Sequence, residues 1–267
     1  MKKTILASSV LLTISGLTFA GAKTNESEVI NPSDLTRVYT QAALFLDSNA
    51  DTRISGMMSG AWSNDIQFAG FAEGTFGNNS AKLEGKHKLG TDYQTGRAQY
   101  FQVHALDNTF IPRVGFSTDL IHQNGGAGAA KGTGVKDTTL LSVGAIGLVN
   151  PAYTFGAKVF PNIAYTTGKV FGESADGYLL SLFLTKEFGD SGSFIQFSPE
   201  YFQVEGDVVE MESKKLNFFV SAPTRADRTQ WLMTRFEYGS ADYVLPNGTP
   251  INNDHELRVE IGMKWFF

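Results

Sequence analysis

Apolar and polar residues alternate strictly over the last stretch of the chain. Leu257, Val259, Ile261, Met263, Trp265 and Phe267 form one set, and Glu256, Arg258, Glu260, Gly262, Lys264 and Phe266 form the other. A period of two over more than ten residues is the mark of a strand with one apolar face. Strands of soluble sheets usually stop at about five or six residues, whereas a strand tilted across a membrane needs about 9–11. The same alternation recurs upstream. Ile54, Gly56, Met58, Gly60 and Trp62 carry it, as do Ile66 to Phe76, Phe110 to Leu120, Tyr153 to Val159, Tyr178 to Leu184 and Leu216 to Val220. Weaker segments lie at 81–89, 97–106, 138–149, 193–204 and 229–239. Asn78-Asn79, Asp107-Asn108, Asn150-Pro151 and Asp190-Ser191-Gly192 read as short turns. Polar stretches at 90–96, 122–137, 166–176, 205–213 and 239–253 read as longer loops. Aromatic residues split between the two ends: Phe76, Phe110, Tyr153, Phe188, Phe194, Trp265 and Phe267 toward short turns, and Trp62, Tyr165, Tyr178 and Tyr238 toward long loops.

The expected fold is therefore all-β: a transmembrane antiparallel up-and-down barrel whose strands return both ends to one side, so their number is even. Counting from Arg53 gives twelve, with fourteen as the alternative. A short N-terminal helix is expected near 33–46. Asn31-Pro32-Ser33 offers a start signal, and Leu35, Val38, Tyr39, Ala42 and Leu46 share one helical face. The first residues read as a secretory signal peptide spanning 1–22. Lys2 and Lys3 precede an apolar run from Ile5 to Ile14, and Ala20-Gly21-Ala22 supplies small residues for cleavage. The remaining organisation is then a periplasmic or plug segment at 23–51 and a barrel at 52–267.

Composition agrees with this. The chain of 267 residues holds 28 Gly and 21 Phe, with charged residues at 18% and no Cys. Such a chain is too aromatic and too weakly charged to be disordered, and it has no thiol for disulfides, thiolate-held metals or a Cys nucleophile. No later apolar stretch reaches the roughly 20 residues of a membrane helix. Removing 1–22 leaves 20 basic against 27 acidic residues, a balance that disfavours nucleic acid as a partner.

An alternating last strand ending in Phe, behind a signal peptide, resembles Gram-negative outer-membrane β-barrel proteins of the porin-like kind. The resemblance covers Leu257, Val259, Ile261, Met263, Trp265 and Phe267, which would be the assembly signal. It implies an outer-membrane location, a lipid surround, the barrel-assembly machinery as a partner during biogenesis, and passive diffusion of small hydrophilic solutes through a monomer. If the apolar set faces lipid, then Arg53, Glu73, Arg113, Asp119, Lys158, Lys215, Glu256, Arg258, Glu260 and Lys264 line the lumen. Lys82, Glu84, Lys86 and Lys88 would add a charged strand. Such walls either tune a water-filled pore or pair across the barrel and fill it.

Other functions are weaker. A non-conducting barrel could act by adhesion through its long loops. A barrel hydrolase needs a nucleophile, a base and an orienting group in reach. Ser117, Asp119 and His122 are close in sequence, but alternation turns His122 away from the other two. No catalytic residue, metal ligand or cofactor is expected. The Gly-rich stretch 125–132 lacks a phosphate-loop ending and reads as a surface loop.

Overall fold

The computed structural model describes residues 39–125, 134–252 and 255–267, with the side chain of Asp190 also left aside. The expected signal peptide, the part of the expected plug segment and helix up to residue 38, and most of the Gly-rich stretch lie outside these residues.

The chain is a closed antiparallel barrel of twelve long strands. In order these are β1 (Tyr39–Asp47), β2 (Thr52–Ser63), β3 (Ile66–Gly77), β4 (Asp92–Ala105), β5 (Arg113–Gln123), β6 (Thr138–Leu148), β7 (Lys158–Val170), β8 (Glu173–Phe188), β9 (Ser193–Glu205), β10 (Glu210–Pro223), β11 (Gln230–Val244) and β13 (Glu256–Phe266). A two-residue β12 (Pro250–Ile251) pairs antiparallel with the end of β11. Each strand pairs with the next. The β1–β13 ladder, with Gln41 opposite Phe266 and Asp47 opposite Glu260, closes the ring. Closure removes both free sheet edges.

Two assignments change. Residues 39–46 are strand rather than helix. Thr40, Ala42, Leu44 and Leu46 point outward and Tyr39, Gln41, Ala43 and Phe45 inward, because β2 and β13 each present an edge that β1 fills. The segment 81–89 is not a strand. It holds α1 (Asn79–Leu83), capped by Asn78, whose side-chain oxygen accepts from the Ala81 N–H at 2.9 Å. Twelve strands result because these two differences offset each other.

Short connections at 64–65, 106–112, 149–157, 189–192 and 224–229 share the rim that holds the end of β13. At the far rim lie 48–51, 78–91, 171–172, 206–209 and the described residues of 124–137 and 245–255. Asn78-Asn79 thus opens a long far-rim connection rather than making a short turn. The loops expected at 166–176 and 205–213 are mostly strand around tight turns. The β7–β8 turn is two residues, Phe171 (φ 53°) and Gly172 (φ 89°). Positive φ at both positions is the hairpin turn whose twist matches its strands.

Pairing fixes which side chains face out. On β13 the outward set is Leu257, Val259, Ile261, Met263, Trp265 and Phe267. Ten steps of about 3.4 Å, tilted about 45°, give an apolar height of about 24 Å, the height of an outer-membrane barrel's lipid band. Trp62, Phe110, Tyr153 and Phe188 are exposed near the β13-end rim, and Tyr165, Tyr178 and Tyr238 nearer the far rim. Trp62, stacked on Phe68 at 4.5 Å, and Phe76, against Tyr93 at 6.0 Å, occupy the rims opposite to those expected. Phe194 faces inward, packed with Trp231, Tyr39 and Phe266.

Candidate functional site: the barrel lumen

A belt of charged side chains crosses the middle of the lumen. Arg53, on β2, pairs with Glu73 on β3 at 2.5 Å and with Glu260 on β13. Its guanidinium also lies 4.2 Å from the centre of the Phe45 ring. Arg235, on β11, reaches Glu237 at 2.5 Å, Glu260 at 3.7 Å and the side-chain oxygen of Asn217 at 2.7 Å. Arg258 lies 3.6 Å from Asp47. On the other side of the belt, the Arg97 Nε donates to both Asp119 oxygens at 3.0 and 2.9 Å, and its Nη2 lies 2.7 Å from Glu200. Arg97 is on β4 and Glu200 on β9, with β5 to β8 between them, so this pair spans the lumen. Gln99 donates to Asp119 at 2.9 Å from the same wall.

Of the residues read from the sequence, Arg53, Glu73, Asp119, Lys215, Arg258 and Glu260 face into this belt. Lys215 lies within electrostatic reach of both Glu200 and Glu237. Lys264 also faces inward, deeper, 5.8 Å from the Phe194 and Phe266 rings. The other three sit at the rims. Arg113 ties the β2–β3 turn through the carbonyls of Asp65 and Asn64, at 3.2 and 3.3 Å. Lys158 pairs with Glu187 at 3.1 Å, and exposed Glu256 accepts from Asn49 at 2.9 Å. Lys82 bonds Asp51 at 2.5 Å from α1, and Lys86 pairs with Glu84 in the exposed segment after α1. These charges do not form a lumenal strand, because α1 carries the chain out of the wall. Sequence reading missed Arg97, Glu200, Arg235, Glu237 and Asp47. Four of the five lie in segments of weak alternation, where both faces hold aromatics. With them, and leaving the rims aside, the lumen among the described residues holds six cations (Arg53, Arg97, Lys215, Arg235, Arg258, Lys264) against six carboxylates (Asp47, Glu73, Asp119, Glu200, Glu237, Glu260).

Toward the far rim, the wall from β5 to β11 changes character. Leu140, Ala164, Val170, Phe171, Ala175, Leu179, Phe202, Val204, Val209, Met211, Tyr243 and Leu245 pack into one buried cluster, with Ile121 against it. Tyr243, on β11, meets the Phe171 ring at 5.6 Å and hydrogen-bonds with the side chain of Gln123 on β5. This side of the mouth is closed. The other side is polar. There Asp47 accepts from the N–H groups of Asn49 and Asp51 at 2.9 and 2.7 Å, and Lys82 bridges Asp51 and Gln94.

Toward the β13-end rim, a cavity of about 200 Å³ is lined by Phe101, Phe160, Phe183, Val103 and Ile146, with Gln67, Thr185 and Gln196 at its polar points. Phe101 and Phe183 meet edge to face at 5.7 Å. Ser117 and Asp119 face the lumen, where Ser117 donates to Asn162 at 2.6 Å. His122 is on the outer face, 3.0 Å from the Tyr93 hydroxyl. No grouping of His, Asp and Glu that could hold a metal occurs among the described residues.

No protein-family model matches the chain, and neither does any curated protein sequence. Solved structures with a similar course include the KdgM porin, at 11% identity over 86% of this chain and 99% of that one, with a TM-score of 0.47. The translocator domain of the autotransporter NalP from Neisseria meningitidis is similar at 11% identity over 89% and 91%, TM-score 0.43. The anion-selective porin from Comamonas acidovorans is similar at 10% identity over 86% and 97%, TM-score 0.33. At such identities, what those proteins carry is a property of those proteins.

Proposed function

We propose that this chain is an outer-membrane barrel through which small hydrophilic solutes diffuse passively, by a narrow path along the β1–β4 side of the lumen. The observation that carries this reading is the belt of charged side chains inside a closed wall whose outside is apolar. A barrel serving only as an anchor gains nothing from such a belt, since apolar residues of equal volume hold an interior together as well or better than buried ion pairs. Charged walls suit a water-lined path. The polar half of the mouth, at Asp47, Asp51, Lys82 and Gln94, continues that path to the far rim. Balanced charge supports weak selectivity between anions and cations.

The signal peptide at 1–22, biogenesis through the barrel-assembly machinery and a monomeric state belong to the same proposal. Its test is reconstitution in a planar lipid bilayer. Discrete current steps from the purified full chain are the expected result, and a bilayer that stays silent at high protein load would refute it. A second reading, a non-conducting barrel acting through its far-rim connections, is favoured by two observations. Arg97 and Glu200 join opposite walls, and the apolar cluster covers half the mouth.

A further inference from the structure

Phe101, on β4, and Phe183, on β8, meet although three strands of wall lie between them, so their rings cross the lumen on the β13-end side of the Arg97–Glu200 pair. The chamber of about 200 Å³ beside them exists because neighbouring wall positions are small. Ala69 stands opposite Phe101 in the β3–β4 ladder. Gly115 stands opposite Val103 in one ladder and Ile146 in the next, and brings no side chain between them. Phe160, paired with Phe183, supplies a third ring.

Three polar side chains line this space. Gln67 is only 8% exposed, yet its side chain has no hydrogen-bond partner among the described residues. Neither has the Thr185 hydroxyl. Gln196 donates to Ser198 at 3.0 Å. Buried polar side chains ordinarily have a partner, so the Gln67 amide is available to a ligand. Water suits the chamber poorly. About six molecules at about 30 Å³ each would fill it, and each takes two to four polar partners. Three polar points among rings do not supply them.

We propose that this chamber binds one small planar aromatic molecule carrying a hydroxyl or amide group. The chamber sets the size. An apolar cavity of about 150 Å³ holds one benzene, so about 200 Å³ suits one substituted ring or two fused rings. The Phe101, Phe160 and Phe183 rings offer edge and face contacts to a planar guest. Gln67 offers its polar group both a donor and an acceptor. The chamber is lined from β3 and β4 as well as from β7 to β9, so it borders the polar path on the β1–β4 side. How the molecule arrives rests on that proposed path; how it is held rests on the chamber alone.

The test is a calorimetric titration of the full-length barrel in detergent with 2-naphthol, with protein-free micelles as the blank. Saturable one-to-one binding is expected. Ala69→Trp, which fills the chamber, should weaken it at least tenfold. Gln67→Leu keeps the size of the side chain and removes its amide. It should weaken 2-naphthol about three- to tenfold, the worth of one hydrogen bond. Naphthalene, measured by its displacement of 2-naphthol, should bind that variant no more weakly than the unmodified chain. A shift in gel migration on boiling verifies that each variant is folded, and Gln67→Leu decides alone if Ala69→Trp is not. Absence of saturable binding overturns the proposal. So does full affinity in folded Ala69→Trp, or 2-naphthol binding unchanged by Gln67→Leu. Saturable binding beside a silent bilayer would refute hydrophilic diffusion alone, and currents without saturable binding would refute this site alone.

Discussion

Replacing Arg97 by Gln removes the only side chain seen to bridge the β4 and β9 walls among the described residues, while keeping most of its length. Asp119 keeps the Gln99 donor at 2.9 Å, and Glu200 loses its direct partner at 2.7 Å. The lumenal count moves from six against six to five cations against six carboxylates. A cation passing about 5 Å from the unpaired carboxylate gains about 1 kcal/mol at the dielectric of water and about 3 kcal/mol at an effective dielectric near 20. Each 1.4 kcal/mol is a factor of ten. Cation over anion permeability should therefore rise several-fold, with a larger single-channel conductance because the bridge is gone. Glu200→Gln opens the same bridge with the opposite sign, leaving six cations against five carboxylates. It should raise conductance and shift the reversal potential toward anions. The assay is the reversal potential of single channels in a tenfold potassium chloride gradient. A purely structural Arg97–Glu200 pair predicts shifts of the same sign, or none, in both variants. Such an outcome would mean that the pair does not set the charge met by a passing ion.

Trp231 is fully buried, its indole N–H donates to the Arg228 carbonyl at 2.6 Å, and Phe194 and Phe266 pack on it at 6.0 and 6.2 Å. Trp231→Ala should cost about 3–5 kcal/mol, read as a lower urea midpoint; a change under about 1 kcal/mol would contradict the packing. Gly172→Val should loosen the β7–β8 turn, because φ there is 89° and a Cβ would lie 2.5 Å from the Lys136 side chain. Faster hydrogen exchange near 171–172, at a cost of about 1–3 kcal/mol, with the β13 region still protected, is the expected pattern. Single Cys at Gln203 and Asp242 should react with a membrane-impermeant maleimide in proteoliposomes, and Cys at Phe218 should not. Equal labelling at all three would move the membrane boundary.

Much of the barrel was legible because lipid outside and water inside impose one period on every strand. The failures have distinct physical causes. In 33–46 the small residues Ala42 and Ala43 fit either face, so helical spacing and alternation both describe the segment. What selects the strand is closure against β13, more than two hundred residues away, which no local period carries. In 81–89 the alternation of Lys82, Glu84, Lys86 and Lys88 is present, but Gly85 and His87 interrupt the alternate set of Ala81, Leu83 and Leu89, so no continuous apolar band holds it in the wall. Arg97 and Glu200 were obscured by their neighbours. Tyr100 and Phe101, like Tyr201 and Phe202, put one ring on each face, and alternation cannot then say which face is wet.

The loops expected at 166–176, 205–213 and 239–253 show a different effect, which fits a membrane boundary within the proposed placement. Along β9, Ile195, Phe197 and Tyr201 point out while Gln196, Ser198 and Glu200 point in; beyond Tyr201 the faces exchange, with Gln203 and Glu205 out and Phe202 and Val204 in. On β10 the exchange falls between Lys214 and Leu216, with Glu212 out and Met211 in. On β11 it follows Tyr238, with Ser240 and Asp242 out and Ala241 and Tyr243 in. Strand parity never changes; only the solvents do. In the proposed membrane placement, the outside below the Tyr201–Tyr238 level is lipid and the outside above it is water. The inside must then become the apolar core, as in any soluble sheet. A pattern that inverts while its period persists averages to a polar stretch and so reads as loop. The same inversion forces the upper wall to close on itself around Phe171 and Tyr243. The covering of half the mouth is thus a consequence of strands that outrun the bilayer, and the polar path is confined to the β1–β4 side, where the strands do not.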